Sequence, residues 1–383
     1  MKHILVISDP PVAPGFLPRL RYLCDFLVRQ GYGVTLLTEE QQPLAFEHNY
    51  PVLTIPMYSG TTLDWAVKTA WTLLTDWHNR AFARKALQTS DIKHQTYDAV
   101  LCTTFSDFPL GAALHIARRL RVPLLCDVRD LEEQVDNSCY QYHHRQWWAM
   151  PFRRIYRAVH IRRRNRVLRA AQSVTTVSPW HAQFIRTLNP NVRVIYNGYD
   201  PKQFYPDNSP TDAFRITYIG SLFEWQQPAL EKVKQAIEEL NQSSNLPYGF
   251  SRSFEALPRL EIDLHTPQHD PVSHDELGNT IRKAGIMLVL TSTQTHGMLT
   301  TKFYEALGCR KPVLCVPSDR GALAELIRYT NAGIATDDIE QIKQFIREKY
   351  NEWQTAGYTL QPVEHYQEFS RETQSAAFLT MLP

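Results

Sequence analysis

The sequence predicts two doubly wound α/β domains. Three observations carry that reading. Short apolar runs of strand length alternate with helical patterns along the whole chain. Polar or charged residues follow several of those runs, where open parallel sheets hold their ligands. The alternation runs twice over 383 residues, a length that suits two or three domains with separate cores.

Taken in order, Lys2–Ser8 is a continuous apolar strand followed by a Pro/Gly loop, Asp9–Pro18. Leu20, Leu23, Phe26 and Leu27 mark a helix that ends near Gly31, and Val34–Thr38 is the next strand. This β-loop-α-β opening has no G-x-G-x-x-G, so the dinucleotide fingerprint is missing. Val52–Pro56 is a third strand. Trp65–Leu87 reads as one long helix whose Trp65, Trp71 and Trp77 suit a core or an interface. Tyr97–Thr103 is a strand ending in Thr104–Asp107, and Leu110–Leu120 a helix.

Val122–Cys126 leads to Asp127-Val128-Arg129-Asp130. Charges just past a parallel strand sit where such sheets bind ligands, and equally an Asp–Arg pair can fix the loop. The helical stretch Gln146–Ala171 is rich in arginine, with Trp147-Trp148 at its front and an apolar stripe of Phe152, Ile155, Tyr156 and Val159. It reads either as an interfacial helix on anionic lipid or as a soluble helix packed by that stripe. Ser173–Val177 is a strand, and Ser178 with Pro179 opens a helix to Leu188.

Val192–Tyr196 runs into Asn197-Gly198-Tyr199-Asp200. The second half opens with the strand Arg215–Gly220 and Ser221, then helix Pro228–Leu240, strand Leu260–His265, polar loop Thr266–His274 and helix Leu277–Ala284. Met287–Leu290 is a buried-type strand ending in the loop Thr291–Gly297. A helix follows near Thr300, with Phe303, Ala306 and Leu307 on one side and Gly308 at its stop. Val313–Val316, Ala322–Ile327, Gly333–Ala335 and Ile339–Tyr350 complete the alternation.

Composition narrows the function. Hydrophobic and charged contents of 43% and 21% are those of a globular chain. No apolar run approaches the ~18 residues of a membrane span, and MKHILVIS breaks too soon for a signal peptide. The six cysteines form no C-x-x-C and have no His pair at metal spacing, which suits reduced thiols in a cytoplasmic protein. A formal net charge of +2 hides an asymmetry: residues 137–199 hold eleven Arg and no Asp or Glu. Such a block usually meets an anionic partner. Nucleic acid is excluded, since no helix-turn-helix or aromatic-rich sheet motif accompanies the charge.

The stretch His296–Pro317 carries the chemistry. A loop that delivers ligand to a helix N-terminus offers unpaired N–H groups and a positive dipole end, both favouring phosphate. Lys302 lies in the first turn as a point charge, and Glu305, one turn on, is placed to accept two ribose hydroxyls. The unit reads as a nucleotide-diphosphate cradle, though Lys and Glu near a helix start are also commonly solvated.

T-K-x-x-E-x-L-x-x-x-K-P-V-L at 301–314 resembles the sugar-nucleotide segment of GT-B glycosyltransferases, family 4 in particular. V-x-x-I-x-N-G-x-D-x-x-x-F at 192–204 resembles the family's interdomain hinge, and D-x-R-D at 127–130 a sub-branch of it. Phe369–Glu372 is similar to the start of the helix that closes back on the first domain. The resemblance implies two Rossmann-like domains: 1–200 with 366–383 for the acceptor, and 201–365 for the nucleotide sugar. It implies Glu305 on the ribose, with His296, Gly297, Thr300, Thr301, Lys302, Ser221, Gly15 and Arg19 around the donor. It also implies Asp127, Arg129 and Asp130 at the catalytic cleft.

The reaction it implies is transfer, with retention, from a nucleotide-diphosphate sugar such as a UDP-sugar to a lipid-linked or cell-surface glycan. No metal or cofactor is implied, and the setting is cytoplasmic, with 145–169 at an anionic membrane's inner face. Two departures stand out. The family's second Glu is here Gly297, and Leu222–Gln226 lacks the Arg and Lys that grip the diphosphate in many relatives. They leave two alternatives, a sugar-nucleotide 2-epimerase and a non-catalytic GT-B scaffold.

Overall fold

The computed structural model describes residues 1–10, 17–40, 47–57, 71–72, 75–105, 107–134, 150–244, 260–293 and 296–382. The chain divides into two compact units, Met1–Tyr196 with Arg371–Pro383, and Asn197–Ser370.

Unit one holds a parallel sheet of β1 (His3–Ser8), β2 (Gly33–Glu39), β3 (Val52–Ile55), β4 (Ala99–Thr104), β5 (Leu124–Val128), β6 (Ser173–Thr176) and β7 (Val192–Val194). Its order is β3-β2-β1-β4-β5-β6-β7. The central strands β1 and β4 are largely apolar and buried because helices cover both faces. Alternate residues of β1 enter opposite cores: Leu5 and Ile7 meet Phe82 and Val100, whereas Ile4 and Val6 meet Leu20 and Phe378. The C-terminal helix Arg371–Leu379 supplies Phe378, and its Glu372 accepts from the Tyr22 hydroxyl at 2.6 Å and pairs with Arg29 at 2.9 Å. The order reverses between β1 and β4, so unit one's ligand-binding end lies past those two strands.

Unit two holds β8 (Ile216–Ile219), β9 (Ile262–His265), β10 (Ile286–Leu290), β11 (Val313–Val316) and β12 (Gly333–Ala335), all parallel, in the order β12-β11-β10-β8-β9. Its core gathers Ile216, Tyr218, Leu288 and Leu314 with Val233, Ile342 and Phe345 from covering helices. Here the switch point lies between β8 and β10.

Two expectations change. Trp65–Leu87 is not one helix: Asp76 turns left-handed (φ 58°), and a separate helix runs Trp77–Gln88. Trp71 is half exposed while Trp77 packs on the core; Trp65 lies outside the described residues. Cys24, Cys102, Cys126, Cys309 and Cys315 are buried and free.

The second change concerns the basic helix, which spans Met150–Ala170; Trp147 and Trp148 lie outside the described residues. Its inward face mixes apolar packing with charge: Val167 and Leu168 enter the core, while the turns before them bring charged groups inward. Arg164, 2% exposed, pairs with Glu132 and with Glu133 at 2.6 Å, and Arg157 donates to the Glu132 carbonyl. His160 meets Asp107, and Arg163 lies 3.8 Å from Asp76. Ile155, expected in the packing stripe, is 63% exposed. The acidic surplus elsewhere in the chain therefore takes up part of the arginine block, and Arg164 faces no lipid.

Among the described residues no helix is long and apolar enough to cross a membrane.

Candidate functional site

The switch point of unit two assembles the densest chemistry. β8 delivers Tyr218 to its last turn and then bends at Gly220, whose φ of +111° suits glycine alone. A Cβ at Gly220 would stand 2.9 Å from the Lys302 Cε. The missing side chain is what lets Lys302 cross the end of β8. The Lys302 Nζ donates to the Tyr218 hydroxyl at 2.9 Å and lies 4.1 Å from that ring's centre. The hydroxyl in turn donates to the Ser221 carbonyl at 2.7 Å. Burial pulls the Lys302 pKa down to about 8, against the opposing pull of the Glu305 carboxylate. Among the described residues the ammonium makes one hydrogen bond, to a neutral phenol, and no ion pair.

Lys302 rides on the helix Thr301–Gly308, which follows β10. Thr300 caps it, its hydroxyl accepting from the Lys302 N–H at 3.4 Å. Positive dipole and ammonium thus coincide at one helix end. Glu305 is buried one turn on. Gly297 is buried with φ +64°, a backbone state in which the family's Glu would be strained. His296 and Ser221 are exposed beside the site, and Thr301 is half-buried.

Leu222–Gln226 is filled differently from a basic grip. The buried Gln226 donates to the Leu290 carbonyl at 2.7 Å, and its Oε1 accepts from the Phe223 N–H at 3.0 Å, tying the segment to the end of β10. That holds Phe223 and Trp225 stacked, ring centres 5.4 Å apart and 5° from parallel. With Met298, Thr300, Lys302 and Asp319 they line a small pocket that is partly open to solvent. Asp319 is occupied at the start of the helix Ala322–Tyr329, its carboxylate accepting from the Leu323 and Ala324 N–H groups at 3.0 and 2.9 Å. Spacing in the sequence pointed to Lys302, but nothing in it joined Lys302 to Tyr218, Gln226 or the aromatic pair.

Unit one corrects two assignments. Asp127 does not lie past its strand: β5 runs on to Val128, and Asp127 pairs in register with Thr103 and Thr175. Its carboxylate is buried and accepts from Arg19 at 2.8 Å, Thr175 at 2.6 Å and Thr103 at 3.0 Å. Arg19 also donates to the Ile195 carbonyl at 2.5 Å. Arg19 and Asp127 thus form an internal strap between the first helix and the sheet. Gly15 lies outside the described residues.

Arg129 and Asp130 do follow the strand end. Arg129 donates to Asp9 at 3.0 Å and covers the Phe105 ring at 3.5 Å. Burial pushes the Asp9 carboxyl up, although Arg129 and the Phe105 N–H pull it down. Asp130 is half-buried and accepts from Gln134 at 3.0 Å. Gln134 accepts from His181 at 2.6 Å, and burial holds that imidazole down at about 4, hence neutral. Gln134 and His181 gave no signal in the sequence. Among the described residues no three His, Cys, Asp or Glu side chains gather as a metal site.

Solved structures share this architecture end to end. Sucrose-phosphate synthase from Thermosynechococcus elongatus superposes with a TM-score of 0.66 at 14% identity, covering 100% of this chain and 98% of its own. The chain has the GT-B fold. A glycosyltransferase from Rickettsia africae gives a TM-score of 0.60 at 14% identity, over 100% of this chain and 97% of that one. Anabaena HepE, solved with UDP and glucose, also gives 0.60 at 14%, over 99% and 98%. Residues 19–203 of this GT-B chain match the model of Glycosyltransferase Family 4. That span is unit one almost entire, the unit that lacks the Lys302 site. No curated protein matches the chain in sequence.

Proposed function

We propose that this GT-B protein is a glycosyltransferase that draws its sugar from a nucleoside-diphosphate donor, a UDP-sugar first. The observation that carries the reading is Lys302, an ammonium with no ion pair among the described residues, which sits at a capped helix N-terminus and crosses the glycine end of β8. Such a site lacks an anion, and a diphosphate supplies one of the right size and charge. That HepE, of like fold, was solved with UDP and glucose supports the choice of donor.

In this reading Glu305 accepts the ribose hydroxyls, and Lys302 with the helix dipole stabilises charge growing on the leaving diphosphate. The bond from the sugar's anomeric carbon to the diphosphate breaks, and one to the acceptor oxygen forms. The acceptor's proton leaves with the diphosphate. Transfer proceeds with retention and without metal, to a lipid-linked or cell-surface glycan. Arg129 and Asp130 of unit one serve the acceptor, Asp130 being the carboxylate that solvent reaches. A thermal-shift screen of UDP- and GDP-sugars tests the donor. UDP-sugars should raise the unfolding midpoint, by about 2.7 kcal/mol of stabilisation at a hundredfold excess over Kd. No shift with any nucleotide sugar would overturn the assignment.

A further inference from the structure

The pocket beside Lys302 reaches past the diphosphate site. Lys302 and Thr300 line it, whereas Glu305, one turn on, does not. A nucleoside and a sugar extend from opposite ends of a diphosphate. With the ribose on Glu305, this pocket falls at the sugar's end, a placement that rests on the donor reading above. Phe223, one of its walls, is 51% exposed yet held in place. Its ring stacks on Trp225, and its backbone N–H is tied by Gln226, itself bonded to the Leu290 carbonyl. An exposed aromatic ring fixed in this way is arranged for a ligand before the ligand arrives.

The rest of the wall decides which sugar. Phe223, Trp225, Met298 and Leu323 make it largely apolar. Its polar side chains are mostly engaged already. The Gln226 amide serves Leu290 and Phe223, and the Thr300 hydroxyl caps its helix. The Thr291 hydroxyl donates to the Pro317 carbonyl, and the Asp319 carboxylate accepts from two N–H groups. Lys302 belongs to the diphosphate. One neutral donor is left, the Trp225 indole N–H, which has no hydrogen-bond partner among the described residues. Several buried hydroxyls would each need an acceptor that this wall does not supply. A methyl group beside one carbonyl oxygen suits it better. We propose that the pocket selects an N-acetylhexosamine on the donor. The acetyl methyl packs on the Phe223–Trp225 pair, its oxygen accepts from the Trp225 indole N–H, and a spare lone pair of Asp319 takes the amide N–H.

Titration calorimetry of the full chain tests it with two matched pairs of donors. These are UDP-N-acetylglucosamine against UDP-glucose, and UDP-N-acetylgalactosamine against UDP-galactose, with UDP and uridine alongside. The parent should prefer the acetylated member of at least one pair by about tenfold, from one neutral hydrogen bond and one buried methyl. Trp225→Phe keeps a ring but removes the N–H, and should cut that ratio to about threefold. Phe223→Ser should cut it by a similar factor through the lost methyl contact. A merely structural role for either ring would weaken UDP and both sugars alike and leave the ratio at its parent value. Equal affinity within twofold in both pairs would overturn the proposal while leaving the donor reading intact. So would variants that weaken uridine at an unchanged ratio, since the rings would then hold the base. A chain that binds no UDP would overturn the donor reading and this proposal with it.

Discussion

Removing the Lys302 ammonium should separate diphosphate from nucleoside. Lys302→Ala deletes a cation whose recorded protein partner is the Tyr218 hydroxyl at 2.9 Å. The buried Glu305 carboxylate feels that charge but is not its hydrogen-bond partner, so the fold should survive. A hydrogen bond to a charged group contributes about 1.5–3 kcal/mol, so UDP should bind about 10- to 150-fold more weakly. Uridine, which carries no phosphate, should be unaffected. Isothermal titration of UDP and uridine against parent and variant measures both.

The pH dependence gives an independent readout. Burial lowers the Lys302 pKa to about 8, so the free site is charged below that pH and neutral above it. UDP affinity should be highest below about pH 8 and fall as pH rises through it, with a proton taken up on binding in that range. In Lys302→Ala the same window should be flat. Equal weakening of UDP and uridine, or a parent profile flat across pH 8, would refute the reasoning.

Three further outcomes follow from the same geometry. Glu305→Ala should weaken uridine and UDP alike, by about 1.5–3 kcal/mol for each of two lost charge-assisted hydrogen bonds, checked in the same titrations. Arg19→Ala leaves Asp127 buried without its cation and should cost about 3–5 kcal/mol of stability in denaturant unfolding, with UDP affinity kept. Asp130→Asn should slow transfer to acceptor while UDP affinity persists, read from initial rates beside titration; if UDP affinity falls equally, the residue only holds its loop.

Local signals served well wherever the physics is local. Apolar runs such as Ile286–Leu290 read as buried strands because both faces are covered, and Ser178-Pro179 and Thr300 read as helix starts because caps are short-range devices. What failed depended on distance. Asp127 looked like a strand-end charge because the sequence does not show that Thr103, Thr175 and Arg19 can satisfy a carboxylate inside the sheet. The arginine run 145–169 looked uniformly outward, whereas Glu132 and Glu133 draw Arg164 inside. Lys302 and Tyr218 lie 84 residues apart, so their pairing exists only once β8 and β10 are adjacent. Asp76 breaks the tryptophan-marked helix by a backbone state that no periodicity records.

The central claim is that the Lys302 pocket serves transfer of a sugar from a nucleoside diphosphate. Mass spectrometry of the small-molecule products, after incubation with UDP- and GDP-sugars and a glycan acceptor mixture, tests it most directly. The account predicts release of free UDP from a UDP-sugar, a matching mass gain of one sugar on an acceptor, and loss of both in Lys302→Ala. Conversion of the donor into an isomer of unchanged mass, or a donor left intact by a chain that still binds UDP, would contradict it.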